Sequence, residues 1–116
     1  MTDVMGMWGM TLTENDAACN WIESLFDVTH LESRLQHTLN GDVHEEAAEI
    51  RAAANMVRTL IAADMWPSDT RQEMAELASS QLQRMLDEKV YTNSLLVAEI
   101  RREIRQFDER PCERSR

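Results

Sequence analysis

The stretch "AAEIRAAANMVRTLIAA", Ala47 to Ala63, decides the fold class. Within it Ala47, Ile50, Ala54, Val57, Leu60 and Ile61 recur at three- and four-residue steps. At 3.6 residues per turn that spacing gathers them on one side of a helix. The pattern predicts a helix from about Val43 to Ala63, stopped by "MWPSD", because Pro67 disfavours helical geometry at Trp66.

Working outward, the same period returns. Downstream, Ser68 or Asp69 is placed to cap a helix carrying Met74, Leu77, Ala78, Leu82, Met85 and Leu86 inward. "EKVYTN" breaks it, and a last helix from about Ser94 to Phe107 shows Leu96, Val97, Ile100, Ile104 and Phe107. Upstream, Thr29 can cap a short helix through Leu31, Leu35 and Leu39, ended by Asn40-Gly41 in a left-handed C-cap. The first helix runs to about Asp27, with Ala18, Trp21, Ile22, Leu25 and Phe26 on one buried stripe. Thr13, Asn15 and Asp16 supply side-chain oxygens for its unpaired N–H groups.

Three Gly and two Pro in 116 residues, and no run of alternating β-branched or aromatic residues, leave no candidate strand. The expectation is an all-α fold, a single small bundle of four to five helices. An irregular leader occupies 1–12, the helical bundle domain 13–107, and a disordered tail 108–116. A chain of this length holds one core and not two.

The formal charge of −9 is unevenly placed. Residues 1–100 carry 17 acidic and 6 basic side chains, whereas residues 101–116 carry 4 and 6. Such a field repels phosphates, which argues against direct nucleic-acid binding and favours a basic partner surface. No apolar run approaches membrane-spanning length, and the N-terminus does not read as a signal peptide. Cys19 and Cys112 show no metal or disulfide spacing, so the reading is a cytoplasmic protein with two free thiols.

Three groups of residues could carry function. His30, His37 and His44 stand seven apart, two helical turns, too far to share one metal. Glu45, Glu46 and Glu49, followed by Glu73 and Glu76, form two acidic helix faces that antiparallel packing could bring together around Mg²⁺. Their spacing resembles the E-E-x-x-E…E-x-x-D signature of the all-α nucleoside triphosphate pyrophosphatases of the MazG type, departing from it at Glu76. That resemblance implies a Mg²⁺-dependent pyrophosphatase. With 21 acidic residues in the chain, a solvated charged face is the favoured alternative. The third group is apolar: Met7, Trp8 and Met10 in the leader and Met65-Trp66 at a helix break. These either form an adaptable partner surface or plug the end of the bundle.

The leader carries a second and more specific resemblance. Met5-Gly6-x-Trp8-Gly9, followed by Asn15-Asp16-x-Ala18-x-x-Trp21, is similar to the start of the bacterial family called "domain of unknown function 4259", which begins M-G-x-W-G-x-G-x-F-x-N-D-x-A-x-D-W. "AAEIRAAANMVRTLIAA" and "LQRMLDEKVYTNSLL" resemble its body. Thr11, Thr13 and Asn20 depart from the family's Gly, Phe and Asp. The resemblance implies a fold and no activity.

No catalytic set is legible, and the leading expectation is a non-enzymatic acidic protein. It would bind and inhibit a partner by occupying a basic nucleic-acid-binding surface, in the manner of immunity or anti-CRISPR proteins. Met7, Trp8, Met10, Glu45, Glu46, Glu49, Met65 and Trp66 are its expected contacts. The alternatives are the Mg²⁺ pyrophosphatase and an assembly subunit with a homodimer seam.

Overall fold

In a computed structural model, which describes residues 16–108, every regular element is a helix. α1 spans Asp16–Thr29, α2 Leu31–Leu39, α3 Ala47–Ala62, α4 Arg71–Asp87 and α5 Ser94–Asp108. The chain is all-α across the described residues, as its periodicity implies. The expectations for the leader and for the tail beyond Asp108 lie outside them.

The centre of the molecule is the α3–α4 pair. Ile50, Ala54, Val57 and Ile61 of α3 are buried against Met74, Ala78, Leu82 and Met85 of α4. Alanines at positions 53, 54, 75 and 78 let the two backbones approach closely. The pair is antiparallel. Gln81, near the end of α4, donates to the carbonyls of Leu39 and Gly41 just ahead of α3, at 2.6 and 3.3 Å. α5 closes the core with Ile100 and Phe107, and α2 adds Leu35 and Leu39.

Gln81 and Glu103 occupy core positions as polar residues, which hydrophobic periodicity alone does not reveal. Gln81 satisfies the carbonyl of Leu39, the last residue of α2. Glu103 Oε1 accepts from Arg51 Nε at 3.0 Å and from the Asn55 amide at 3.1 Å, and its Oε2 accepts from Arg51 Nη2 at 2.5 Å, so each carboxylate oxygen is paired. Burial pushes the Glu103 carboxyl upward, but hydrogen bonds from Arg51 and Asn55 outweigh it and hold it below the usual carboxylate range.

Several boundaries differ from expectation. Val43 to Glu46 form a turn ahead of α3, with Val43 fully buried and His44 N–H donating to Asp42 at 2.8 Å. α3 ends before Pro67 takes effect. Asp64 adopts φ 63°, its N–H reaches the Ile61 carbonyl at 3.0 Å, and Met65 N–H reaches Leu60 at 2.8 Å. This is a Schellman ending built on a residue other than glycine. Lys89 (φ 55°) repeats it after α4, with Val90 N–H on the Met85 carbonyl at 3.0 Å.

Asn40-Gly41 is not left-handed. Asn40 has φ −88°, and its side chain instead donates to the Gln36 carbonyl at 2.9 Å. A Cβ at Gly41 would displace the end of the exposed Glu46 side chain and approach the Thr38 carbonyl to 3.1 Å. Thr29 does not cap α2; its hydroxyl turns back to the Leu25 carbonyl at 2.7 Å, and His30 (φ 53°) forms the corner. The N-cap of α4 is Thr70, not Ser68 or Asp69. Its hydroxyl is taken by the Trp66 indole N–H (3.1 Å) and by Glu32 (2.7 Å).

The largest correction concerns α1. Of the stripe expected to be buried, only Phe26 is, whereas Trp21 is 65% and Leu25 43% exposed. α1 packs at the edge of the bundle, so one side of a broad apolar stripe finds the core and the other finds solvent.

Candidate functional site

A cavity of about 570 Å³ opens where α1 meets the segment between α3 and α4. Ile22 and Cys19 of α1 form one wall. Met65, Trp66 and Pro67 form the other, because the Schellman ending at Asp64 turns the chain back across the end of the bundle. Trp66 is 2% exposed and stands edge-on to Phe26, ring centroids 5.3 Å apart. Its N–H is satisfied by Thr70, which joins Ser68 and Glu32 in one hydrogen-bonded group. The apolar wall is therefore rigid.

The rim is charged. Glu23, Asp64 and Asp69 contribute carboxylates, and Arg71 stands 3.8 Å from Asp64. An apolar wall of this size with an acidic edge suits an apolar side chain flanked by a cation.

The expected contact residues do not share one surface. Trp66 is a core residue, as the plug reading requires, and its side chain is not a surface anchor. Met65, 36% exposed, lines the cavity. Glu45, Glu46 and Glu49 are exposed at the opposite end, around the start of α3. Met7, Trp8 and Met10 lie outside the described residues.

The antiparallel α3–α4 pairing also separates the two acidic motifs instead of joining them. Glu49 lies in the first turn of α3 and Glu73 in the first turn of α4. First turns of antiparallel neighbours stand at opposite ends, here roughly 20 Å apart at 1.5 Å per residue. Glu76 is exposed and accepts from Gln72 at 2.9 Å. Glu45, Glu46, Glu49, Glu73 and Glu76 thus do not converge on one Mg²⁺ within the chain. Among the described residues no group of three or more His, Cys, Asp or Glu is placed to hold a metal ion.

The histidines are equally dispersed. His44 meets Glu88 at 2.6 Å, and the Arg84 guanidinium, followed by His44, holds the Glu88 carboxyl below its ordinary range. No helix of the described residues is long and apolar enough to cross a membrane.

These features define a small acidic helical bundle with a cavity at one end. The family model described as "Domain of unknown function (DUF4259)" matches residues 6–113, and the chain belongs to that family. No curated protein and no solved structure matches it.

Cys19 and Ile22 escape sequence reasoning as site residues, because a helix period marks them only as inward. What could have found them is the segment "DMWPSD", a long apolar-acidic connection facing whichever helix lies across it.

Proposed function

We propose that the chain is a non-enzymatic binding protein that occupies a basic, nucleic-acid-binding surface of a partner protein and so inhibits it. The observation carrying this reading is the end cavity. An apolar partner side chain fits against Ile22, Met65 and Pro67, while neighbouring Lys or Arg residues meet Glu23 and Asp69. The net charge of −9 supports it by steering a basic surface into encounter. Glu45, Glu46 and Glu49 supply a second acidic edge for a partner large enough to span the bundle. Inhibitors of the immunity or anti-CRISPR kind work by this charge complementarity, and the reading places the protein in the cytoplasm of a bacterium or its phage.

The test uses the tagged full chain as bait in an extract of its native host, eluted along a salt gradient. The expected result is a partner with a basic surface, released at moderate salt and lost with Glu23→Lys/Asp69→Lys. A partner without a basic surface, or retention that ignores ionic strength, overturns the proposal.

A further inference from the structure

Residues 4–13, "VMGMWGMTLT", carry no charged side chain, a longer run than any other in this chain. Val4, Met5, Met7, Trp8, Met10 and Leu12 make it largely apolar. Such a segment gains from being covered, and nothing in it is repelled by an acidic rim. The family match begins at residue 6, ahead of α1, so the leader belongs to the same domain as the helices.

The leader is also tethered beside the end cavity. It joins α1 at Asp16, and the wall formed by Cys19 and Ile22 lies one to two turns further on, about 5–9 Å along the helix axis. The chain from Trp8 to Asp16 reaches at most about 28 Å, ample for a reversal and a return of that size. Gly9, directly after Trp8, accepts either hand of turn at that reversal.

Shape and polarity match as well. The cavity, about 570 Å³, is walled by Ile22, Met65 and Pro67 and edged by Glu23, Asp64 and Asp69. Tryptophan combines a large apolar body with one N–H donor at its edge, and that donor needs an acceptor once buried. The rim carboxylates offer acceptors, and flexible methionine side chains fill the volume an indole leaves.

We infer that the leader folds back on its own bundle and seats Trp8 in the end cavity, against Ile22, Met65 and Pro67. The exposed Trp21, Leu25 and Val28 lie on the opposite side of α1 and stay uncovered. A partner that uses the cavity enters by displacing Trp8, so the leader competes with it. The inference itself concerns the free chain and needs no partner.

Nuclear Overhauser contacts in the full chain test it, measured at low and at high protein concentration. The expected result is contact between the Trp8 indole protons and the methyl groups of Ile22 and Met65 at both concentrations. A second readout is alkylation of Cys19 in a Cys112→Ser background. Trp8→Ala should speed it about tenfold or more by uncovering the cavity wall, and Trp8→Phe, which keeps most of the apolar cover, should return it to within about threefold of the parent. Circular dichroism confirms that each variant keeps its helices.

Contacts from Trp8 to the Leu25 and Val28 methyl groups instead would overturn the inference, since they place the leader on the other face of α1. Contacts that appear only at high concentration overturn it too, because the leader then docks on a second copy. So does a Trp8 ring with no contact to the bundle, or a Cys19 rate indifferent to Trp8→Ala. None of these results bears on salt-dependent capture of a partner, so the two proposals fail separately.

Discussion

The α3–α4 pair and α1 are all amphipathic, yet they use their apolar faces in opposite ways. Ile50, Ala54, Val57 and Ile61 of α3 are each at most 6% exposed, locked against Met74, Ala78, Leu82 and Met85. In α1 the largest residue, Trp21, and its neighbours Leu25 and Val28 face outward, and Phe26 is the one buried anchor. Amphipathicity states that a face has something to pack against. It does not state that the core supplies it.

The comparison is tested most strongly at its buried extreme. Leu82→Ala removes a fully buried side chain from the centre of the pair and should cost about 3 kcal/mol in urea unfolding. A loss under about 1 kcal/mol would mean that the central pair is no better packed than the edge helix.

Next comes the polar member of the core. Glu103→Ala leaves Arg51 and Asn55 without their acceptor and should cost about 2 kcal/mol, moderated because Arg51 still reaches solvent. The Glu103 carboxyl titrates lower when folded than when unfolded. Its contribution is therefore fully present above the unfolded value and is lost as pH falls through the folded one. Stability measured from pH 7 downward should show a shallower acid decline in Glu103→Gln than in the parent; parallel curves would contradict the pairing.

A smaller effect, of opposite sign, is expected at the helix end. Lys89→Gly relieves a left-handed non-glycine residue and should raise stability by about 1 kcal/mol, read as a higher melting temperature. The smallest belongs to α1. Trp21→Ser should shift stability by less than about 0.5 kcal/mol despite deleting an indole. A cost approaching that of Leu82→Ala would show that Trp21 is a core residue after all and would erase the contrast.

What could be read from the sequence follows the same division. The helices of "AAEIRAAANMVRTLIAA" and of residues 71–87 and 94–108 are legible because their apolar stripes are narrow and their partners lie in the chain. α1 misleads because Ala18, Trp21, Ile22, Leu25 and Phe26 make a stripe so wide that one core cannot cover it. Gln81 and Glu103 were illegible because polarity hides a core position until its hydrogen-bond partners, 40 to 52 residues away, are known.

Caps failed for a related reason. Thr29 and Ser68 are sound capping residues by type, but the Thr29 hydroxyl is claimed by the Leu25 carbonyl and that of Ser68 by Glu32 and Thr70. In the candidate site, Met65 and Trp66 were legible as a pair at a break. Their division into a cavity rim and a core plug depends on the turn at Asp64, which no glycine announces.

The corner at His30 has a kinetic consequence. One residue in the left-handed region is all that joins α1 to α2, and apart from Phe26 little of α1 is buried. A segment so attached opens as its own cooperative unit, well before the rest of the bundle. The amides of Asp16 to Thr29 should exchange with deuterium together, while those of α3 and α4 wait for global unfolding.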